Sequence, residues 1–311
     1  MRTIISAVCS TLALSAAPAS AQTASSELIV RPGEPVAATI EGKPARLLVG
    51  SGRIDRLALD ADYVAANGIK PALIMGRAEM TVAGRREFKG RNRPLTFVVA
   101  GMTRNARAFW FDGAPDSGVD GRIGPFGLPQ DRVSFVLGPT NPRHAVERAP
   151  LSGDVNGSGF VGFGLGERGI AVFFDVESAE QYPIASAAAG ALLARTFDGT
   201  VSGASWDVEV LMGVRRPVRL LTLARPLVIG PLSYSKIAVR VRDRIDHSGR
   251  GVGIPEAGAT VDPDEVTVVA GMTGPTPAFG LTIPRPALGT CSRLTYDKPA
   301  RKLELACAPL A

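Results

Sequence analysis

Two polar turns follow apolar strands in this sequence, and each is placed to present a chemical group. The run Leu47-Leu48-Val49 leads into Gly50-Ser51-Gly52, and the run from Ile170 to Phe174 leads into Asp175-Val176-Glu177. A strand that enters a tight glycine turn directs the turn backbone at whatever lies beyond it. The second turn offers a carboxylate, Asp175, which is a residue type suited to general acid–base chemistry.

Other common chemistries lack the residues that they need. The two histidines, His144 and His247, do not stand at metal-ligand spacing from a cysteine. The stretches Gly157–Gly162 and Gly164–Gly169 match the dinucleotide fingerprint by letter, but each precedes a strand and not a helix. No Gly-x-Ser-x-Gly pentapeptide presents a serine nucleophile. We therefore expect no cofactor and no metal.

The first residues have the pattern of a secretory signal. Arg2 supplies the positive region, the apolar run from Ile4 to Ala16 is too short to span a bilayer, and Ala19-Ser20-Ala21 is a small-x-small cleavage site. We expect cleavage after Ala21 and a periplasmic or secreted protein; an N-terminal membrane anchor is the alternative. No later apolar run is long enough to span a membrane, so we expect no integral membrane segment after signal removal.

The net charge of +6 is dispersed along the chain. Small clusters such as Arg85-Arg86 and Arg215-Arg216 have few aromatic residues between them. A nucleic-acid surface needs a basic stripe with stacking side chains, so we expect no nucleic-acid partner. The arginines are typical of solvated strand faces.

Short strands separated by turn signals dominate the chain, which predicts an all-β fold. Two short helices interrupt them: one has Asp60 as its N-cap and stops at Gly68, and the other runs from Ser186 to Ala194. A turn-rich stretch without periodicity, residues 138–160, marks a boundary between lobes. The expected organisation is a signal peptide over 1–21, a flexible leader over 22–35, a first lobe over 36–137, a linker over 138–167 and a second lobe over 168–311.

Cys291 and Cys307 flank a predicted hairpin in which strands Ser292–Tyr296 and Lys302–Ala306 surround a turn containing Pro299. A turn centred on Pro299 places Arg293 opposite Leu305 and Cys291 opposite Cys307. Paired residues of antiparallel strands lie close enough for a bridge, and an even cysteine count in an exported protein favours one. The sequence therefore predicts a disulfide between these cysteines.

The order of signals in the first half recurs in the second half. Asp175 falls on the position of Gly50, because equal intervals separate Gly50 from Leu59 and Asp175 from Ile184. The remaining correspondences place Ser186 beside the start of the first helix, Pro226–Asp243 on Leu95–Phe111, and Leu288-Gly289 on Ile123-Gly124.

Each of these units resembles half of a retropepsin- or pepsin-type aspartic protease. That family has an apolar strand, Asp-Thr/Ser-Gly, a short strand and a small helix, then a hairpin and a Gly-Ile/Leu-Leu-Gly segment. The resemblance implies two pseudo-symmetric, aspartic-protease-like β lobes around a cleft, with two facing carboxylates that share a proton and activate one water. It covers most of residues 36–137 and 168–307, and its matches are Leu47–Gly52, Leu57–Leu59, Ala65–Ile69, Val119–Gly124, Phe173–Glu177, Leu227–Val239 and Leu288-Gly289.

The sequence departs from the family pattern at the deciding positions. Gly50 stands where the first aspartate belongs, and Val176-Glu177 replaces the hydroxyl residue and the glycine after Asp175. A single carboxylate cannot form the shared-proton pair, and losing one member of such a unit costs orders of magnitude in rate. The resemblance therefore leaves Asp175 as the catalytic candidate and Gly50, Ser51, Gly52, Val176 and Glu177 as cleft-lining binding candidates.

A relocated acid would restore the pair. Asp55 lies five positions after Gly50, but using it requires a rebuilt turn. Asp116-Ser117-Gly118 matches the family tripeptide by letter, yet it follows Gly113-Ala114-Pro115 and not an apolar strand, which is typical of a loop.

Three functional hypotheses follow. The first is a catalytically degenerate protein that binds extended peptide or a protein partner in the cleft between the lobes. The second is an active aspartic endopeptidase that uses Asp175 with a relocated acid. The third is an envelope-binding β-sandwich module, which requires that the two units are not structural repeats.

Overall fold

The computed structural model describes residues 26–52, 55–82, 86–113, 118–166, 168–241, 244–245, 251–252 and 279–309. This part of the chain is an all-β protein with two short α-helices, as the sequence predicts. None of its helices is long and apolar enough to cross a membrane. Apolar residues from both halves of the chain form one large buried core, and two smaller clusters lie beside it.

Alternating apolar residues produce the strands of the first half. In the sequence Ala45-Arg46-Leu47, for example, the arginine is exposed and its two neighbours are buried, which is the period of two that a half-buried strand requires. The strands are β1 (Glu27–Val30), β2 (Val36–Ile40), β3 (Lys43–Val49), β4 (Ala58–Leu59), β5 (Arg77–Val82), β6 (Arg86–Val99), β7 (Met102–Phe111), β8 (Gly121–Ile123) and β9 (Arg132–Val136).

Six of these strands close into a barrel. The pairing order is β2-β3-β8-β4-β7-β6, and β6 pairs back with β2, while β5 extends β6 outside the ring. The tight turns between strands carry the residues that such turns need: Glu41 and Gly42 both have positive φ between β2 and β3, as do Ala100 and Gly101 between β6 and β7. Glu41 and Gly42 thus form the two-residue loop of the β2–β3 hairpin, in which Ile40 pairs with Lys43.

The second half contains the remaining strands. They are β10 (Ala145–Ser152), β11 (Phe160–Leu165), β12 (Arg168–Asp175), β13 (Ile184–Ala185), β14 (Thr200–Leu211), β15 (Val214–Ile229), β16 (Leu232–Arg240), β17 (Arg244–Ile245), β18 (Gly251–Val252), β19 (Gly280–Pro284), β20 (Cys291–Asp297) and β21 (Lys302–Cys307).

The two halves repeat one pairing pattern. In the first, β3 runs parallel to β8, and β4 pairs antiparallel with β8 and parallel with β7. In the second, β12 runs parallel to β19, and β13 pairs antiparallel with β19 and parallel with β16. Strand β12 therefore corresponds to β3, and the Asp175 turn corresponds to the Gly50 turn. This confirms the predicted repeat and contradicts the hypothesis that the units are unrelated.

One predicted correspondence is wrong. The sequence assigned Leu288-Gly289 to the place of Ile123-Gly124, but Ile123 pairs with Val49 in the first half and Ile283 pairs with Phe174 in the second. The counterpart is therefore Ile283-Pro284. Leu288 ends a 3₁₀ turn, Arg285–Leu288, that follows this strand, just as the 3₁₀ turn Pro125–Gly127 follows β8.

Two predicted irregular segments contain strands. Residues 27–30 of the expected leader form β1, as the apolar run Leu28-Ile29-Val30 indicates, and this strand pairs parallel with β9 and buries Leu28 and Val30. The expected linker, 138–167, contains β10, which pairs with β21, and β11, which pairs with β12. Strand β10 escaped detection because most of its side chains are exposed and carry no apolar alternation. The lobe boundaries themselves stay predictions.

A shared sheet joins the halves. Strand β9 from the first half pairs with β20 from the second, so one sheet runs in the order β1-β9-β20-β21-β10-β11-β12 and continues to β14. Backbone hydrogen bonds thus connect the halves on the side of the molecule that carries the disulfide hairpin.

The helices begin at the predicted caps. Helix α1 (Ala61–Ala66) has the Asp60 carboxylate accepting from the N–H of Asp62, and Gly68 follows it with φ of 63°. Helix α2 (Ala187–Thr196) has the Ser186 hydroxyl accepting from the N–H of Ala189. It extends two residues beyond the predicted end.

The predicted disulfide between Cys291 and Cys307 is present. The two residues are partners across β20 and β21, as expected, but Arg293 faces Ala306 and not Leu305. An irregularity between Cys291 and Arg293 causes this one-residue shift, because a bulge places an extra residue on one strand.

We predict that the Cys291→Ala/Cys307→Ala variant loses about 3 kcal/mol of unfolding free energy, since the bridge closes a loop across 16 positions. Urea denaturation followed by fluorescence measures the loss, and reduction of the wild-type protein is the matched control. A variant with the wild-type midpoint would contradict the prediction.

Candidate functional site

The two candidate turns lie against each other. The Ser51 hydroxyl donates a hydrogen bond to the Phe174 carbonyl oxygen over 2.6 Å and accepts one from the Val176 N–H over 3.3 Å. Ser51 is 2% exposed, so this contact lies in the interior. The turns that the sequence places 123 residues apart are therefore joined directly by one side chain.

Gly52 allows the turns to approach. Its φ is 82°, a conformation that side chains disfavour, and a Cβ at this position would overlap the Phe174 carbonyl oxygen. Any larger residue would push the second turn away and break the hydrogen bond from Ser51. The glycine of the first turn is thus required for the contact between the halves.

A carboxylate from the second turn fills the space beside Gly50. A Cβ built on Gly50 would lie 2.7 Å from Oε2 of Glu177. The same oxygen accepts a hydrogen bond from Nη1 of Arg122 over 2.9 Å, in an ion pair between β8 and the second turn. The place where a first-turn aspartate would project its side chain is therefore occupied by Glu177.

Asp175 is completely buried. Its Oδ1 accepts hydrogen bonds from the N–H of Glu177 over 3.2 Å and from the N–H of Ser178 over 3.1 Å. This is the geometry of an aspartate that stabilises its own turn. The catalytic role of Asp175 stays a prediction.

The two turns differ at the position that follows Gly50 and Asp175, where the first has Ser51 and the second has Val176. Val176 occupies the position equivalent to Ser51 and is completely buried. A valine has no hydroxyl, so the second turn donates to Ser51 only through the Val176 backbone N–H. The side-chain hydrogen bonding between the turns is therefore supplied by Ser51 alone among these two equivalent positions.

Asp55, considered as a relocated acid, ties two segments together. It is 2% exposed and accepts hydrogen bonds from the N–H of Phe126 over 2.8 Å and from the N–H of Gly159 over 3.0 Å. Burial raises the pKa of Asp55 to about 7, although the two N–H groups and the charge of Lys298 act in the opposite direction. Both of its oxygens are engaged by backbone donors.

A buried tyrosine, Tyr296, lies among these groups. Burial raises its pKa, the nearby carboxyl groups of Asp55 and Asp175 raise it further, and the Ser51 hydroxyl lowers it. The Tyr296 hydroxyl is thus close enough to Ser51, Asp55 and Asp175 for each to affect its pKa. Sequence reasoning missed Tyr296 and Arg122, because only the fold brings them to the turns.

The tripeptide Asp116-Ser117-Gly118 was the other candidate for a relocated acid. Asp116 and Ser117 lie outside the described residues. Within the described part of the chain, no group of three or more histidine, cysteine or acidic side chains is arranged to hold a metal.

A pocket of about 460 Å³ opens next to Glu177 and Ser178, with Arg285 and Leu137 in its wall.

Two long hairpins from the two halves form a second contact. Val82, Phe88 and Phe111 of the first half pack with Val214 of the second in a small apolar cluster, and Met212 packs against it. Strands β5 and β14, which belong to these hairpins, are the last strands of their sheets. The halves therefore meet at the turns, along the shared sheet and at the hairpins.

The matches among solved structures include a weak fold neighbour. No protein-family model matches this sequence, and no curated protein matches it. Among solved structures, the chain is similar to the retroviral protease-like domain of Ddi1 from Leishmania major. The sequences are 16% identical, the TM-score is 0.24, and the match covers 30% of this chain and 72% of that one.

We predict that Gly50→Ala lowers the unfolding free energy by about 1 kcal/mol, because the new methyl group displaces Glu177 from Arg122. The same substitution in a Glu177→Ala background should cost less, since the crowding atom is absent. Urea denaturation of the four proteins in this double-mutant cycle gives the coupling energy.

Gly52→Ala is the control for that cycle. We expect a loss of at least about 2 kcal/mol that Glu177→Ala does not relieve, because the obstacle is the Phe174 backbone and the strained φ. Equal coupling of both glycines to Glu177 would disprove the proposed packing.

Because the pKa of Asp55 is raised, we predict that the stability of the folded chain depends on pH. Its pKa is about 7 in the folded chain, against 3.8 for an unperturbed aspartate. The folded state therefore binds this proton more tightly, so the stabilisation is complete below pH 3.8 and is lost as the pH rises through about 7. Relative to Asp55→Asn, the wild-type protein should lose up to about 4 kcal/mol across this window.

The difference between the two unfolding curves isolates Asp55 from the other carboxyl groups, because both proteins share them. The measurement is chemical denaturation of each protein in buffers across the window. A difference that does not change with pH would contradict the pKa assigned to Asp55.

Proposed function

We propose that this chain is an exported, aspartic-protease-like protein without proteolytic activity, which binds extended peptide or an extended segment of a protein partner between its two halves. The observation that carries the proposal is the placement of Glu177 beside Gly50. The side-chain space of the first turn is filled by a carboxylate already paired with Arg122.

The chemistry of the aspartic dyad explains why this arrangement favours an inactive protein. Two carboxylates on facing turns must share a proton and hold one water between them. Here both Asp175 and Glu177 come from the second turn, Asp175 is completely buried and accepts from its own turn, and Arg122 stabilises the charged form of Glu177.

The hairpins support the binding part of the proposal. An extended peptide can add to the last strand of a sheet through backbone hydrogen bonds, and β5 and β14 are such strands, one in each half. The apolar cluster that contains Phe88 and Val214 holds the two hairpins together, so both edge strands belong to one connected surface.

Export is part of the same proposal. Its support is the signal pattern from Arg2 to Ala21, which lies outside the described residues, and the Cys291–Cys307 disulfide, which is characteristic of oxidising compartments. Fractionation of cells that express the full chain tests it, with the mature protein expected to begin at Gln22.

The decisive experiment combines cleavage and binding. A mixture of unstructured peptides is incubated with the wild-type protein from about pH 3 to about pH 7, the range in which carboxylate pairs work. We expect no cleavage, but retention of a subset of peptides by the immobilised protein. Methylation of alternate backbone nitrogens in a retained peptide should weaken binding about tenfold, since it removes strand-pairing hydrogen bonds.

A second candidate function is favoured by the same Glu177 position. Because Oε2 lies where a first-turn carboxylate would project, Glu177 could act as the second acid beside Asp175 in an acid endopeptidase. Peptide cleavage that disappears in both Asp175→Asn and Glu177→Gln would establish this function and overturn the inactive protein. Cleavage that survives both substitutions would indicate a contaminating protease.

A further inference from the structure

An arginine-rich pocket lies beside β4 and β7 of the first half. It measures about 400 Å³ and is lined by Arg56, Arg104 and Arg107, together with Phe109 and the amide side chains of Asn105 and Asn156. Among the described residues, none of those that line it is acidic. The first arginine precedes β4 and the other two lie on β7.

Neutral groups hold all three guanidinium groups in place. Arg104 donates to the carbonyl oxygens of Phe126 and Leu128 over 2.9 and 2.7 Å. Arg56 donates to Oδ1 of Asn156 over 2.8 Å and stacks on the Phe109 ring, with 5.0 Å between its guanidinium carbon and the ring centre.

Arg107 completes the set. It donates to the amide oxygen of Asn92. A carbonyl or amide oxygen orients a guanidinium without neutralising it, so each of the three arginines keeps its full positive charge. Each also keeps N–H donors beyond those used in these contacts, because a guanidinium has five.

The carboxyl groups nearby do not cancel this charge. Asp55 acts electrostatically on Arg104, but it is buried, and its two oxygens accept from backbone N–H groups. Lys298 donates to the same Leu128 oxygen as Arg104 and so adds positive charge behind the pocket. By contrast, Arg132 pairs with two carboxylates, Asp297 and Glu304.

We propose that this pocket binds the phosphate group of a small organic phosphomonoester. A phosphate dianion offers several acceptor oxygens to pre-oriented guanidinium groups, which bind phosphate in bidentate fashion. The pocket volume suits a small molecule, and Leu57, Ala106 and Val155 supply apolar wall for the organic part. The pocket stands apart from the peptide site proposed above and does not depend on it.

Phenyl phosphate is the probe, and isothermal titration calorimetry of the full mature chain at low ionic strength is the measurement. We expect saturable binding that weakens at least about tenfold in Arg56→Gln and in Arg107→Gln, since each removes a charge-assisted hydrogen bond. Benzoate should bind more weakly, because it carries a single charge. Absence of binding, or stronger binding of benzoate, would overturn the phosphomonoester assignment.

Arg225→Gln is the matched control. Arg225 also stacks on an aromatic ring, that of Phe197, but it pairs with the Asp198 carboxylate and lies outside the pocket. Its substitution should leave phenyl phosphate binding unchanged. An equal loss in this variant would show that binding reflects net charge and would refute the pocket.

A measurement on the wild-type protein avoids dependence on variant folding. Phenylglyoxal modifies accessible arginines, and mass spectrometry locates the modified positions. Bound phenyl phosphate should protect Arg56 and Arg107, but not Arg225. Unchanged labelling of Arg56 and Arg107 at saturating phenyl phosphate would rule out the proposed site.

Discussion

The hydrogen bond from Ser51 to the Phe174 carbonyl oxygen fixes how the two halves meet. It is buried, it links two turns that are distant in sequence, and its oxygen also accepts from the N–H of Val176. Buried polar groups are costly to leave unpaired, so this hydroxyl specifies one arrangement of the turns. The arrangement depends in turn on Gly52, because only a glycine lets the first turn come so near the Phe174 backbone.

Local features of the fold could be predicted from the sequence because they depend on residues that are close together in the chain. The helix caps at Asp60 and Ser186 depend on residues two or three positions away. The disulfide follows from the hairpin between Cys291 and Cys307. The correspondence of the turns also held, since an apolar strand before a polar turn leaves a signal in each half. The bulge that shifts Arg293 left no such signal.

Long-range contacts could not be predicted in the same way. The sequence predicted Glu177 as a cleft-lining residue, but not its pairing with Arg122, 55 positions away, or its place beside Gly50. The counterpart of Ile123 was misplaced because the strand that pairs parallel with β12 is Gly280–Pro284, which was not predicted as a strand. Neither the pairing of Glu177 with Arg122 nor the counterpart of Ile123 can be inferred until the parallel strand pairs are known.

The residues that depart from the protease pattern fit one another physically. Without a side chain at Gly50, there is space beside the first turn; Glu177 fills it, and Arg122 compensates the charge. Without a hydroxyl at Val176, the second turn loses a hydrogen bond, but the apolar side chain is completely buried. Restoring an aspartate at position 50 alone would therefore place two carboxylates in one space. The surroundings of the turns are therefore matched to the residues present, and this mutual consistency is what a stable fold requires.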